Sequence, residues 1–250
     1  MMARRLLRSL DRRMTQWRGE TSVACGGLTG RFGVANKAEY KHVRGGLFER
    51  DVLARFLAAL RPDDVVYEVG GHIGSWSVFI AQRVVNGSLY VFEPNAHNAA
   101  VNRANLTRNG LGRVRVVEAA AGDREGTATL HVGADAAAGL HSLVRQTEGG
   151  RSVDVPVRRL DRFAAEPDVR PPTALKIDCE GAEGRVLDGL GVQLECVRTL
   201  MLEAHGETLR AAGSTKAAVL KRVADAGLVP LHVWPGDDVS RHLFTRGGSI

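Results

Sequence analysis

The stretch Val65 to Gly74, VVYEVGGHIG, decides the fold of this chain. Its first five residues are apolar or aromatic except for Glu68, and its last five contain three glycines. An apolar run from Trp76 to Val85 follows. This order predicts a buried strand, a glycine-rich turn and a helix. Glycines let the backbone approach a ligand, and the first turn of a helix has unpaired N–H groups, so the stretch predicts a nucleotide site.

The rest of the chain repeats the alternation of apolar strands with amphipathic helices, which predicts a parallel sheet with right-handed crossovers. A Pro-Gly-Asp-Asp turn at residues 235–238 joins the last two strands, which predicts an antiparallel hairpin at the sheet edge. The fold class is therefore α/β, a doubly wound, mostly parallel sheet. We predict helices over residues 47–60, 75–85, 96–109 (capped by Asn95), 160–166, 182–190 and 215–226. We predict strands over residues 65–69, 89–92, 114–117, 127–132, 152–158, 174–177, 197–202, 228–233 and 242–245.

The composition indicates one ordinary globular domain. The 250 residues are 44% hydrophobic, and no apolar run approaches the roughly 20 residues that span a bilayer. The three cysteines are widely spaced, which favours neither a disulfide framework nor a zinc cluster. We expect a cytoplasmic protein with no transmembrane segment.

The positive charge is concentrated at the start of the chain. Residues 1–18 hold six arginines and one acid, and the remaining residues hold 28 basic and 27 acidic side chains. This distribution argues against a nucleic-acid partner, which would need a basic face on the main domain. Residues 3–18 predict a basic amphipathic helix that packs on the body or a partner subunit, or else contacts a membrane surface. We expect residues 1–45 to form an extension, with an irregular Gly-rich loop over 19–45, and residues 46–250 to form the domain.

Acidic side chains follow nearly every predicted strand. Ligands of open α/β sheets bind beyond the carboxyl ends of the strands, so these side chains mark a candidate site. Glu93 follows Gly74 by 19 residues, the position from which a carboxylate accepts both ribose hydroxyls of an adenosine. NAD and S-adenosylmethionine sites share this feature. His72 stands where a dinucleotide fingerprint has its second glycine, which would crowd a pyrophosphate and disfavours NAD. The candidate site residues at the predicted strand ends are Glu68, Glu93, Asp123, Asp178, Glu180, Glu203 and His205.

Six blocks carry a specific resemblance over about residues 64–206: VYEVGGHIGSWS, FEPNAHNAAVNRANLTRNGL, VVEAAAGDREGTATL, VPVRRLDRF, LKIDCEGAEGRVLDGL and LMLEAHG. In order and spacing they resemble the FkbM family of S-adenosylmethionine-dependent methyltransferases. The resemblance implies a seven-stranded class I, Rossmann-like fold, ribose binding by Glu93 and adenine contact by Asp123. It also implies that the methionine end is held by a loop comprising Glu68, Gly70, Gly71 and Gly74. Glu68 replaces the family's more usual Asp, and Gly71-His72 replaces Ala-Asn.

The resemblance further implies methyl transfer to a hydroxyl of a sugar, glycoside or other small metabolite. Two schemes would remove the hydroxyl proton. In one, Asp178 or His205 is the general base. In the other, Asp178, Glu203 and His205 hold a divalent cation that acidifies the hydroxyl. We favour the metal-free scheme, because two carboxylates and one histidine are a weak metal signal.

The sequence leaves several interpretations open. Glu180 and Glu183 either act in the site or cap backbone N–H groups. His141 and Ser142 lie in a predicted loop that either contacts substrate or has no function. The alternatives to an O-methyltransferase are an NAD-dependent oxidoreductase and a catalytically silent cofactor-binding module recruited through its N-terminal helix. A homo-oligomer is compatible with the sequence.

Overall fold

The computed structural model describes residues 19–45, 49–133, 141–144 and 150–247. The strands are β1 (Glu20–Cys25), β2 (Leu28–Gly33), β3 (Val65–Val69), β4 (Ser88–Phe92), β5 (Arg115–Val117), β6 (Ala120–Ala121), β7 (Gly126–Val132), β8 (His141–Ser142), β9 (Arg151–Arg158), β10 (Ala174–Ile177), β11 (Thr199–His205), β12 (Leu228–Trp234) and β13 (Val239–Arg246). The helices are α1 (Lys37–Gly45), α2 (Glu49–Ala59), α3 (Ser77–Arg83), α4 (Ala96–Arg108), α5 (Leu160–Phe163), α6 (Glu183–Leu190), α7 (Gly206–Ala211) and α8 (Lys216–Asp225), with a 3₁₀ turn over Gly191–Cys196.

Seven strands form the central sheet in the order β12-β13-β11-β10-β3-β4-β5. From β11 to β5 neighbouring strands are parallel, and β13 pairs antiparallel with β11 and β12. The chain runs outward from β3 to β5 on one side and returns through β10 on the other, so the strand order reverses between β3 and β10. The predicted doubly wound, mostly parallel sheet with a C-terminal hairpin is confirmed.

The central strands are buried because both faces of the sheet are covered. Every residue of β3 is buried, and its side chains alternate between two cores. Tyr67 and Val69 pack among residues of α5 and α6, whereas Val66 packs among residues of α2 and α3. A strand covered on both faces is apolar at nearly every position, and for this reason VVYEV is readable as a buried strand.

A second sheet lies between β5 and β10 in sequence, with the order β6-β9-β7-β8. β7 and β9 correspond to the two short strands predicted over 127–132 and 152–158. The predicted loop between them contributes β8, which pairs with the end of β7. A small apolar core that includes Leu130 and Val157 lies beneath this sheet.

The prediction of an irregular loop over residues 19–45 is wrong. β1 and β2 form an antiparallel hairpin, and α1 follows them. The hairpin turn is Gly26-Gly27, with φ of 56° and 79°, a geometry that two glycines adopt without strain. The glycines that suggested a loop are therefore turn residues and parts of a strand. The helix predicted over residues 3–18 lies outside the described residues.

The hairpin belongs to the core of the domain. The Phe32 ring is fully buried and lies 6.0 Å from the Phe79 ring of α3. The side chains of Asn105 in α4 and of Asn109, which follows α4, accept hydrogen bonds from the backbone N–H groups of Gly33 and Arg31, at 2.8 and 2.9 Å. Within the described part of the chain, no helix is long and apolar enough to cross a membrane.

Replacement of Phe32 by alanine should test whether the hairpin is packed into the core of the domain. We expect Phe32→Ala to lower the free energy of unfolding by about 3–5 kcal/mol, because it leaves a cavity between the hairpin and α3. Urea denaturation followed by circular dichroism measures the change, and Thr29→Ala at an exposed position of the same strand is the matched control. A loss below about 1 kcal/mol would show that the hairpin is only loosely attached.

Candidate functional site

A cavity of about 250 Å³ opens at the carboxyl ends of the central strands, where the strand order reverses. Ligands of open α/β sheets bind at this point. Its described lining residues come from the main sheet, the second sheet and α1. They are His42, Val69, Gly70, His72, Phe92, Glu93, Pro94, Ala120, Ala121, Leu130, Leu143, Asp178, Cys179, Glu180, Ala182 and Glu203.

The loop after β3 forms the floor of the cavity. Gly70 has a φ of 81°, and a Cβ at this position would overlap the carbonyl oxygen of Asp178, so only glycine fits. The backbone N–H groups of Gly70 and Gly71 donate to the Phe92 carbonyl, and that of Gly74 donates to Gly71. Three N–H groups of the loop are thus satisfied inside the protein.

Glu93 connects this loop to the end of β4. Its Oε2 accepts from the backbone N–H of His72 at 2.8 Å, and its Oε1 accepts from that of Asn95 at 2.9 Å. Burial raises the pKa of Glu93 to about 7, although these two backbone donors favour the ionised form. Glu93 lines the cavity, as its predicted role in ribose binding requires.

Glu68 lies behind the loop and does not line the cavity. Its carboxyl is fully buried, and Oε2 accepts a 2.6 Å hydrogen bond from the Ser77 hydroxyl at the start of α3. Burial raises the pKa of Glu68 to about 7, partly offset by Lys176. The structure therefore gives Glu68 a supporting position, and its contact with a cofactor stays a prediction.

Lys176 places a buried ammonium group between β3 and β10. Its Nζ donates to the Gly70 carbonyl at 2.6 Å and lies 3.2 Å from Asp178 Oδ2. Burial lowers the pKa of Lys176, but Asp178 and Glu68 outweigh it and the pKa rises. In the same way, burial works against ionisation of Asp178, yet Lys176 and His205 hold its pKa below the ordinary value.

Four carboxylates surround the buried imidazole of His205. Nδ1 lies 2.6 Å from an oxygen of the fully buried Glu183. Nε2 faces Glu203, Glu180 and Asp178 at 3.5, 3.7 and 3.9 Å. Glu183 also accepts from the Gly181 N–H at 3.1 Å, so it both caps the turn and holds the histidine.

The acids set the charge of this cluster. Burial lowers the pKa of His205, but its contacts with Glu183 and Glu203 dominate and raise it to about 11. Burial raises the pKa of Glu180 to about 7, partly offset by His205. These contacts favour the protonated ring of His205 at neutral pH, and its role as general base stays a prediction.

The cation ligands predicted from the sequence do meet in space. One ligand atom each from Asp178, Glu203 and His205 lies within 4.8 Å of the others, close enough to share one ion. However, both oxygens of Glu203 already accept from Arg241 at 2.8 Å, and Asp178 pairs with Lys176. The charges of both carboxylates are thus balanced by side chains of the protein.

The remaining predicted residues lie outside the cavity lining. Gly71 and Gly74 pack against Val91 and Asn102 at the base of the loop. Asp123 is partly buried, and its carbonyl oxygen accepts from Arg159 at 2.6 Å. Adenine contact by Asp123 therefore stays a prediction.

The second sheet closes one side of the cavity. Ser142 Oγ in β8 donates to the Glu180 carbonyl at 2.9 Å, which ties this sheet to the loop after β10, and the neighbouring Leu143 lines the cavity. The side chain of His141 is outside the described part of the structure.

Glu180 has a φ of 51°, an uncommon conformation for a residue with a side chain.

Three important residues were not predicted from the sequence. Lys176 had a readable signal, since it is a charged residue within the buried strand ALKI. Arg241 reaches Glu203 from the neighbouring strand, and His42 reaches the cavity from α1. Both contacts depend on the tertiary fold and leave no local pattern in the sequence.

The profile of the Methyltransferase FkbM domain matches residues 68–227. The chain belongs to the FkbM methyltransferase family. This confirms the resemblance drawn from the six sequence blocks.

Individual relatives agree with this assignment. The chain is 27% identical over 202 residues to the hexuronic acid methyltransferase AglP of Haloferax volcanii, covering 81% of this chain and 79% of the relative. It is 30% identical over 207 residues to the 31-O-demethyl-FK506 methyltransferase FkbM of Streptomyces tacrolimicus, covering 68% and 79%. A solved structure from Clostridium thermocellum, provisionally assigned as an rRNA methylase, aligns with a TM-score of 0.51 at 11% identity over 78% of this chain and 93% of that one, and shows the fold alone.

The buried carboxyl of Glu68 should make stability depend on pH. Its folded pKa of about 7 exceeds the ordinary value of 4.5, so the folded form loses stability as pH rises between these values. We expect the free energy of unfolding of Glu68→Gln, relative to that of wild type, to rise by about 2–3 kcal/mol between pH 5 and pH 8. Urea unfolding across this range measures the difference, with Glu118→Gln at an exposed position as the control. A constant difference between variant and wild type would mean that Glu68 does not titrate in this range.

Proposed function

We propose that this protein transfers a methyl group from S-adenosylmethionine to a hydroxyl of a sugar, glycoside or other small metabolite. The observation that carries the proposal is one cavity lined by Glu93, a carboxylate at the end of β4 in the position suited to an adenosine ribose, and by acids of the His205 cluster at the ends of β10 and β11. Membership of a methyltransferase family supports the reaction class. The name of the FK506 relative, which places the methyl group on an oxygen, supports a hydroxyl acceptor, and the name of the hexuronic acid relative supports a sugar.

Two parts of the cavity suit the two parts of this cofactor. Phe92, Ala120, Ala121 and Leu130 form an apolar region beside Glu93, which suits an adenine with its ribose on the carboxylate. Charge-assisted hydrogen bonds to ribose hydroxyls contribute roughly 1.5–3 kcal/mol each. The polar region around Gly70, Asp178 and Glu203 lies toward β10 and β11 and suits the amino-acid end.

When bound, S-adenosylmethionine supplies an electrophilic methyl group on a sulfonium. The protein then has to align the acceptor, exclude water and receive one proton. A hydroxyl becomes strongly acidic as its oxygen bonds to carbon, so a weak carboxylate base is sufficient. Asp178 fits this role because it lines the cavity, and Lys176 and His205 keep it ionised.

His205 has a positioning role in this scheme. Its Nδ1 is fixed by Glu183, and its protonated ring lies beside Asp178, Glu180 and Glu203. The ring therefore holds three carboxylates of like charge near one another, which would otherwise repel. Glu180, which also lines the cavity, is then placed to accept a hydrogen bond from the acceptor.

We propose that the reaction needs no divalent cation. The donor set Asp178, Glu203 and His205 is suitable for one, and a cation there would lower the pKa of a bound hydroxyl. Against this, Lys176 and Arg241 already neutralise the two carboxylates. Binding of a cation would have to displace the Arg241 contacts of Glu203.

Cofactor binding and transfer provide the main test. We expect isothermal titration to show binding of S-adenosylmethionine and no binding of NAD, and labelled cofactor to methylate at least one member of a panel of sugars and glycosides. Glu93→Gln should weaken cofactor binding about tenfold or more, because it removes a charged acceptor of the ribose hydroxyls. Exposed Glu118→Gln serves as the control. Binding of NAD alone would instead support the oxidoreductase, and tight cofactor binding without transfer across a broad panel would support the silent module.

A second test concerns the proton acceptor and the metal. We expect Asp178→Asn to lower kcat, measured at saturating cofactor, about 10²–10⁴-fold, since the amide cannot take the proton. Asp225→Asn, on the exposed face of α8, should leave kcat unchanged. Dialysis of wild type against a chelator should change kcat less than about twofold. Loss of activity that Mg²⁺ or Mn²⁺ restores would favour the cation scheme.

A further inference from the structure

A second cavity, of about 380 Å³, opens at the amino ends of the central strands. It lies where α2 ends, beside the residues that precede β3 and β11 and beside the hairpin of β12 and β13. The candidate site is lined by residues at the carboxyl ends of β3, β4, β10 and β11. The two cavities therefore lie at opposite ends of the strands and share no described lining residue.

The wall of the second cavity is basic, and we call it the basic cavity. Its described lining residues include four arginines and no acid. The arginines are Arg55, Arg61, Arg83 and Arg198. The candidate site has the opposite character, since four carboxylates line it. A concave surface with charges of one sign concentrates ions of the other sign, so the basic cavity attracts anions.

Two of the four arginines are paired with acids that lie outside the cavity lining. A terminal nitrogen of Arg198 lies 2.6 Å from Oδ2 of the buried Asp64. Arg55 Nε lies 3.0 Å from Asp51 Oδ2, and Arg55 Nη1 lies 3.1 Å from His232 Nε2. These contacts hold both guanidinium groups in place and balance their charges.

The other two arginines have unbalanced charges. In the part of the chain that the structure describes, no carboxylate pairs with the side chain of Arg61 or of Arg83. Asp63 is exposed and does not line the cavity, and Asp64 is already paired. Arg83 Nε donates to the Leu57 carbonyl at 3.0 Å, which orients the guanidinium and keeps its charge. The basic cavity thus has two guanidinium groups whose charge an anion can neutralise.

A phosphate monoester matches this surplus of charge. It carries about −1.5 to −2 at neutral pH, whereas a carboxylate or a sulfate ester carries a single negative charge. The planar fork of a guanidinium group fits two phosphate oxygens at once. The rest of the wall is largely apolar and suits an organic body, and the volume is in the range of small-molecule sites. Its apolar residues include Ala58, Leu60, Pro62 and Leu231.

We propose that the basic cavity binds the phosphate group of an organic phosphate, with Arg61 and Arg83 as its principal ligands. The inference is independent of the proposed function, because no described residue of the basic cavity belongs to the candidate site. The ligand is an accessory one and not the methyl acceptor, since methyl transfer is proposed at the other ends of the strands.

The test uses phenyl phosphate as the probe and phenyl sulfate as a singly charged ligand of similar shape. Isothermal titration is performed on the full-length wild type, Arg61→Gln and Arg83→Gln. Arg210→Gln, at an exposed position of α7 beyond the carboxyl end of β11, is the matched control. Circular dichroism and thermal unfolding establish that each variant is folded.

A parallel measurement separates a soluble phosphate from a lipid headgroup. The same four proteins are sedimented with vesicles of phosphatidylcholine, with and without phosphatidic acid. Dependence of binding on phosphatidic acid, on Arg61 and on Arg83, without binding of phenyl phosphate, would identify a lipid as the source of the phosphate group.

We expect Arg61→Gln and Arg83→Gln each to weaken binding of phenyl phosphate about tenfold or more, because each removes charge-assisted hydrogen bonds. Arg210→Gln should change it less than about twofold, and phenyl sulfate should bind wild type about tenfold more weakly than phenyl phosphate. Binding of phenyl phosphate that neither cavity variant weakens, or equal affinity for phenyl sulfate, would overturn the inference. So would a lack of phenyl phosphate binding together with vesicle binding that both cavity variants leave unchanged.

Discussion

The Lys176 ammonium holds together the two strands between which the site is formed. It donates to the carbonyl of Gly70 at the end of β3 and pairs with Asp178 at the end of β10. These are the strands at which the strand order reverses, so the crossovers on either side diverge and leave the cavity open. The buried charge is stable there because it has two close acceptors, and the glycine loop and Asp178 are positioned by the same contact.

The site is built from paired charges more than from a single reactive group. Lys176 balances Asp178, Arg241 balances Glu203, and the His205 ring lies among four acids. Removing one partner from such a set leaves another charge buried and uncompensated, which costs more than the pair itself contributes. The cluster is therefore sensitive to substitution even at residues that never touch a substrate. These acids also explain why the His205 ring beside Asp178 keeps its proton.

Much of the fold was readable from the sequence, because the central strands are covered on both faces and so have continuous apolar stretches. The glycine loop, Glu93 and the acids after β10 and β11 were readable for a related reason, since parallel strands bring their carboxyl ends to one edge. The hairpin of β1 and β2 was missed because Gly30 and Gly33 interrupt the alternation of β2. The exclusion of Glu68 from the cavity could not be foreseen either, because it depends on how far a side chain is enclosed by Ser77 and the loop around it. Arg241 and His42 act across long sequence separations, which local patterns do not record.

The packing of the hairpin has a consequence for the order in which the chain folds. The backbone N–H groups of β2 donate to side chains in and just after α4, more than 70 residues later in the sequence. During synthesis the hairpin is complete well before α4 exists, and an isolated two-stranded hairpin is marginally stable in water. Its apolar side chains, Phe32 among them, therefore have no permanent cover until α3 exists, and its hydrogen bonds to Asn105 and Asn109 form only after the polypeptide has extended past residue 109. A segment made early thus reaches its native packing late, and the wall that His42 contributes to the cavity forms only after β3, β4 and α4 are in place.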